Sequence, residues 1–243
     1  MLNRLKQKTT GVVKLNFLKL LVRSLLFIAT LAVYLADKDL IIGNLYSFQN
    51  PGAVLLIVIW LFFITEMLFR FFPSRYESAG CQKQFGRNYV ARGESVKPSH
   101  SSRTKNLKDV LVVSAVWIAL NAGVGALYFT GVIDEGALLV ISLFYAVSDI
   151  ICILFYCPFQ SFIMKNRCCV SCRIYNWDFL MMFTPMVFIR SYYTISLFVI
   201  SLALFLKWEN AYYRHPERFS AQTNSSLDCV SCSEKTCVFK QPG

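Results

Sequence analysis

Four runs of about twenty apolar residues constrain this chain more than anything else in it. A stretch of that length with few charges is what a helix needs to cross the hydrocarbon core of a bilayer. The runs cover residues 15–36, 53–72, 110–130 and 137–156, and a fifth apolar stretch covers 179–206. With 56% hydrophobic residues in a chain of 243, the composition excludes an ordinary soluble domain. It predicts an all-α polytopic helical membrane protein with four clear transmembrane helices. The fifth segment holds Pro185, Arg190 and the cluster Ser191-Tyr192-Tyr193-Thr194. It is either a single span or a re-entrant hairpin turning near Arg190 to Thr194, with two arms of about 12 residues. A single span puts the tail outside; a hairpin returns it to the inside.

Charge sets the expected topology. The net charge is +11, but the basic residues flank the apolar runs, which points to the positive-inside rule and away from nucleic acid as a partner. Residues 73–108 hold Arg75, Lys83, Arg87, Arg92, Lys97, Arg103, Lys105 and Lys108 against Glu77 and Glu94. That loop is expected in the cytoplasm, together with the basic amino terminus, in a plasma-membrane protein. The first run has no small-x-small cleavage site before Asp37, so it reads as a span and not as a cleaved signal.

Ionisable residues inside the runs are candidates for function. Lys19 and Arg23 are expected to reach back to the headgroups. Glu66 and Arg70 lie four apart, the spacing of an ion pair on one helix face. Asp149 is the acid of the fourth run, and Asn121 is the strongly polar member of the third. Ala115, Ala119 and Gly123 recur every four residues and predict a close helix contact.

The cysteines carry the chemistry. Seven of nine fall in two polar segments: Cys157, Cys168, Cys169 and Cys172 in the loop 157–177, and Cys229, Cys232 and Cys237 in the tail 207–243. The tetrapeptide Cys-Val-Ser-Cys occurs at 169–172 and again at 229–232. Two residues between thiolates let one tight turn aim both sulfurs at one metal, and two such turns complete a tetrahedron. The expectation is a small cysteine-rich module in which the tail folds on the loop. Its metal site uses Cys169, Cys172, Cys229 and Cys232, with Cys157, Cys168 and Cys237 as further candidates. Zinc is favoured over an iron–sulfur cluster. The role is structural, sensing or electron-carrying, the last implying a redox partner. One alternative is a membrane thiol–disulfide oxidoreductase passing electrons to a quinone, for which Cys152 and Cys157 lie near a helix end. Another is a small transporter or channel with Glu66 and Asp149 on its path. No phosphate-binding glycine loop or ligand-spaced histidine pair is present to specify an enzyme.

Overall fold

The computed structural model describes residues 10–47, 52–74, 77–92, 100–165 and 169–228, without the side chains of 100–106. Among these residues the fold is all-helical, apart from an isolated bridge between Ala91 and Asn224. Eight α-helices follow in order: α1 Gly11–Ala36, α2 Asp39–Ser47, α3 Gly52–Arg70, α4 Ala79–Gln82, α5 His100–Phe129, α6 Glu135–Leu154, α7 Asp178–Phe183 and α8 Tyr192–Arg214. Five of them, α1, α3, α5, α6 and α8, are long and apolar enough to cross a membrane.

Helix starts follow from capping side chains that meet otherwise unsatisfied backbone N–H groups. Thr10 accepts from Val13 N–H at the head of α1, Asp134 from Ala137 N–H at the head of α6, and Ser191 from Thr194 N–H at the head of α8. Between α5 and α6 the chain turns at Gly131, whose φ of 75° suits a residue without a Cβ. Short α2 crosses the start of α3 closely. A Cβ on Gly52 would lie 2.7 Å from the Leu40 carbonyl oxygen.

The apolar stretch 179–206 is a hairpin with unequal arms. Its first arm is α7 and a 3₁₀ turn over Thr184–Phe188, where Pro185 lacks the N–H that would continue the helix. This arm runs through the interior, with Phe179, Met182, Phe183, Met186 and Ile189 all buried. The chain then reverses at Ile189–Ser191, and α8 is a full-length helix that continues past residue 206 to Arg214. Two polar residues of that extension are bound to the bundle. Lys207 donates to the Phe71 carbonyl, and Glu209 pairs with Arg173.

The bundle has an apolar core that also encloses charged residues, and it exposes large apolar side chains on its outer face. Leu56, Ile59, Phe63 and Met67 of α3 pack with Leu139, Leu143 and Ala146 of α6 around α7. Leu25 on the outer face of α1 is 57% exposed while Arg23, two residues before it, is 0% exposed. That inversion is what a lipid solvent produces.

One other expectation changes. The stripe of Ala115, Ala119 and Gly123 faces outward, and a Cβ on Gly123 would meet nothing within 4 Å. The close approach in α5 is at Gly125, where a Cβ would lie 2.5 Å from the Phe188 ring. Asn121 bonds within its own helix, donating to the Trp117 carbonyl at 2.9 Å.

Candidate functional site

The site lies at the end of the bundle where α3 ends, α6 ends and α8 ends. It has a charged core inside the helices and a cysteine turn above it.

The core is built on Arg23. Its guanidinium donates to Glu66 Oε2 at 2.8 Å, Asp149 Oδ2 at 2.9 Å and the Ala146 carbonyl at 2.8 Å. Lys19 joins Glu66 at 3.3 Å and Glu77 at 3.1 Å. Arg70 is held by both carboxylate oxygens of Asp178, at 2.5 and 2.7 Å, and lies 3.8 Å from Glu77. The Phe179 ring sits between the two guanidinium groups, 5.8 Å from that of Arg23 and 4.4 Å from that of Arg70. Lys19 and Arg23 thus do not extend to the headgroups, and Glu66 and Arg70 each take partners from other segments. The reason is the same in both cases: carboxylates on facing segments offer shorter, charge-assisted contacts than water at the rim. Three cations meet four carboxylates here, so the core carries one carboxylate more than it has cations.

Above this core, residues 169–172 form a tight turn closed by Cys172 N–H donating to the Cys169 carbonyl at 2.9 Å. Both cysteines are buried. Lys83, 1% exposed, supports the turn from below, donating to the Val170 carbonyl at 3.1 Å and the Cys172 carbonyl at 2.5 Å. Its ammonium also faces the rings of Trp208 and Phe219. The loop is locked to α8 by Arg173, which pairs with Glu209 and stacks 3.6 Å from the Tyr212 ring centre. Trp177 Nε1 donates to the same carboxylate at 2.8 Å.

The chain after α8 returns to this turn. Thr223 and Ser225 exchange backbone hydrogen bonds with Arg92 and Val90, and Leu227 packs against Val170, between the two turn cysteines. Cys168, Cys229, Cys232 and Cys237 lie outside the described residues. Among the described residues, no three His, Cys, Asp or Glu side chains are grouped to hold one metal ion.

A cavity of about 150 Å³ lies between the core and the turn. Four cysteines line it: Cys152 from the last turn of α6, Cys157 just after it, and the turn pair Cys169 and Cys172. Cys169 Sγ lies 2.8 Å from Gln160 Oε1. Asp149 and Asp178 reach the cavity from the core. Cys81, the fifth described cysteine, is buried elsewhere in the basic loop, where loss of water pushes its thiol pKa well up. Glu77 and Lys83 stand out in the sequence only as charges of the basic loop, and Asp178 only as an acid beside the fifth apolar stretch.

Neither a known protein family, nor a curated protein, nor a solved structure matches this chain.

Proposed function

We propose that the protein is a plasma-membrane protein carrying a cysteine-thiolate metal centre on its cytoplasmic face, made by Cys169, Cys172, Cys229 and Cys232. The observation that carries this reading is Leu227 seated on Val170. Cys229 follows two residues later, a reach of at most about 7 Å along the chain. That reach allows the second Cys-Val-Ser-Cys to approach the first, which supports a shared ligand set. The fit also rests on donor chemistry. The 169–172 turn has the closed backbone that two thiolates from one Cys-x-x-Cys require, and Lys83 offsets part of the charge that four thiolates would carry.

The centre is zinc in preference to an iron–sulfur cluster. Zinc would tie the tail to the loop and hold the basic face of the bundle together. Glu66 and Asp149, which a transporter would need free, are both engaged by Arg23, and this favours a structural role for the charged core. Orientation follows from the positive-inside rule applied to the basic loop that meets residues 223–225.

Metal analysis of protein purified without chelator tests the reading. One zinc per chain is expected, or a brown chromophore for a cluster, falling to background in Cys172→Ser and in Cys232→Ser but not in Cys81→Ser. Metal at background in the parent chain overturns it, as does metal unchanged in both ligand variants.

A further inference from the structure

The proposed metal centre leaves over Cys152 and Cys157, and these two thiols share the cavity with a set of flat side chains. We propose that the cavity binds the ring of a lipid-soluble quinone and that Cys152 and Cys157 form a dithiol that reduces it. This goes beyond the metal centre and uses neither of its cysteine pairs.

The size admits one ring. A cavity of about 150 Å³ is comparable with an apolar protein cavity known to admit one benzene ring, so the ring substituents and tail of a quinone would extend out of it. The walls also fit. Trp117 and Tyr145 meet with ring centres 4.8 Å apart, and Phe159 stands 6.2 Å from Trp117. With Tyr175, Met181 and Met182 they line an enclosure of aromatic faces and thioethers, which favours a planar, polarisable ring. Ser148 and Gln160 supply the hydroxyl and amide donors that a quinone's two oxygens need for orientation.

The position selects a ligand that arrives from the bilayer. Trp117 belongs to α5 and Tyr145 to α6, both spanning helices, and both side chains are half-buried at the seam between them. Helix α5 meets the bundle mainly through the Phe159–Met164 segment and the Thr184–Phe188 turn. The seam beside Trp117 is accordingly the short way in from lipid.

Both thiols of the dithiol face one cavity. Helix α6 ends at Leu154, so Cys152 is helical while Cys157 lies beyond the helix end. Oxidation breaks two S–H bonds and forms one S–S bond. The two electrons and two protons pass to the two oxygens of the quinone, which leaves as quinol. Asp149, three residues before Cys152 on the same helix, lines the cavity while it stays paired with Arg23. On the cytoplasmic side the pair rests in the dithiol form, ready to donate.

The experiment uses the full chain in lipid nanodiscs, reduced and freed of reductant without oxygen, then mixed with ubiquinone-1. The ring of this quinone is fully substituted and does not alkylate thiols. One quinol per chain is expected, with mass mapping after alkylation showing a single new disulfide between Cys152 and Cys157. Cys152→Ser and Cys157→Ser should each abolish quinol formation, and Cys81→Ser should leave it intact. Trp117→Leu should raise the half-saturating ubiquinone-1 concentration about tenfold, while diamide, a water-soluble oxidant, still closes the disulfide. Absence of quinol in the parent chain overturns the proposal, as does quinol formed with Cys152 and Cys157 still reduced. The mapping needs no variant to fold, and metal content measured on the same sample separates failure here from failure of the metal centre.

Discussion

Arg23 sits inside an apolar run, and in lipid its N–H donors have no water to turn to. The fold answers by bringing Glu66 from α3 and Asp149 from α6 to the same guanidinium, leaving the side chain fully buried. Removing one member of a buried ionic set strands the others, which costs about 3–5 kcal/mol. Arg23→Leu is therefore expected to lower the stability of the detergent-solubilised protein by about that amount in a thermal or denaturant titration. Lys14→Leu, at an exposed position of the same helix, should stay within about 0.5 kcal/mol. Arg23→Lys should recover part of the loss, because an ammonium keeps the charge but not the fork that engages two carboxylates and a carbonyl. Equal stability of Arg23→Leu and the parent would remove the charged core as a structural element. The charges themselves were legible in the sequence; their pairings were not. Spacing suggested Glu66 with Arg70, the local option on one helix. The partners found are 43 residues apart for Arg23 and Glu66 and 126 for Arg23 and Asp149. No local rule ranks such distant choices.

Helix boundaries were easier to read than helix faces. The apolar runs 53–72 and 137–156 differ from α3 and α6 by only one or two residues at each end, because length and hydropathy are properties of a segment as a whole. Which side of α5 packs inward depends on what its neighbours present, and the small-residue repeat misled. Two glycines test this. In Gly125→Ala the new Cβ would meet the Phe188 ring at 2.5 Å and must displace it, an overpacking cost of about 1–3 kcal/mol. In Gly123→Ala it enters open space, so the variant should match the parent or gain up to about 1 kcal/mol from helix propensity. Side-by-side melting curves check both. The same result for the two variants would contradict the close packing of α5 on the Thr184–Phe188 turn. Proline had a clearer reading than glycine. Pro185 marked the middle of the fifth apolar stretch as irregular, but the turn itself comes later, at Ile189–Ser191, where Ser191 is free to cap α8.

At the scale of the molecule, the hairpin formed by α7 and α8 decides which segments can meet. A single span through 179–206 would carry residues 215–228 to the far end of the bundle. The buried first arm cancels that crossing, so α8 delivers them to the end that holds the 77–92 segment and the cysteine turn. The sequence left both routes open because an apolar stretch of 28 residues fits either, and the deciding contacts, such as Val170 with Leu227, join residues far apart in the chain. Single engineered cysteines read this arrangement directly in sealed vesicles of known orientation, scored against labelling of the parent chain. Gln222→Cys and Val90→Cys, both at exposed positions, should react with a membrane-impermeant maleimide from one and the same side. Val132→Cys, exposed in the turn between α5 and α6, should react only from the other. In the proposed orientation that shared side is the cytoplasm. If Gln222→Cys labels with Val132→Cys, the two Cys-Val-Ser-Cys segments face opposite compartments and cannot share a metal. The cavity between α5 and α6 would keep its dithiol regardless, since Cys152 and Cys157 both precede the hairpin.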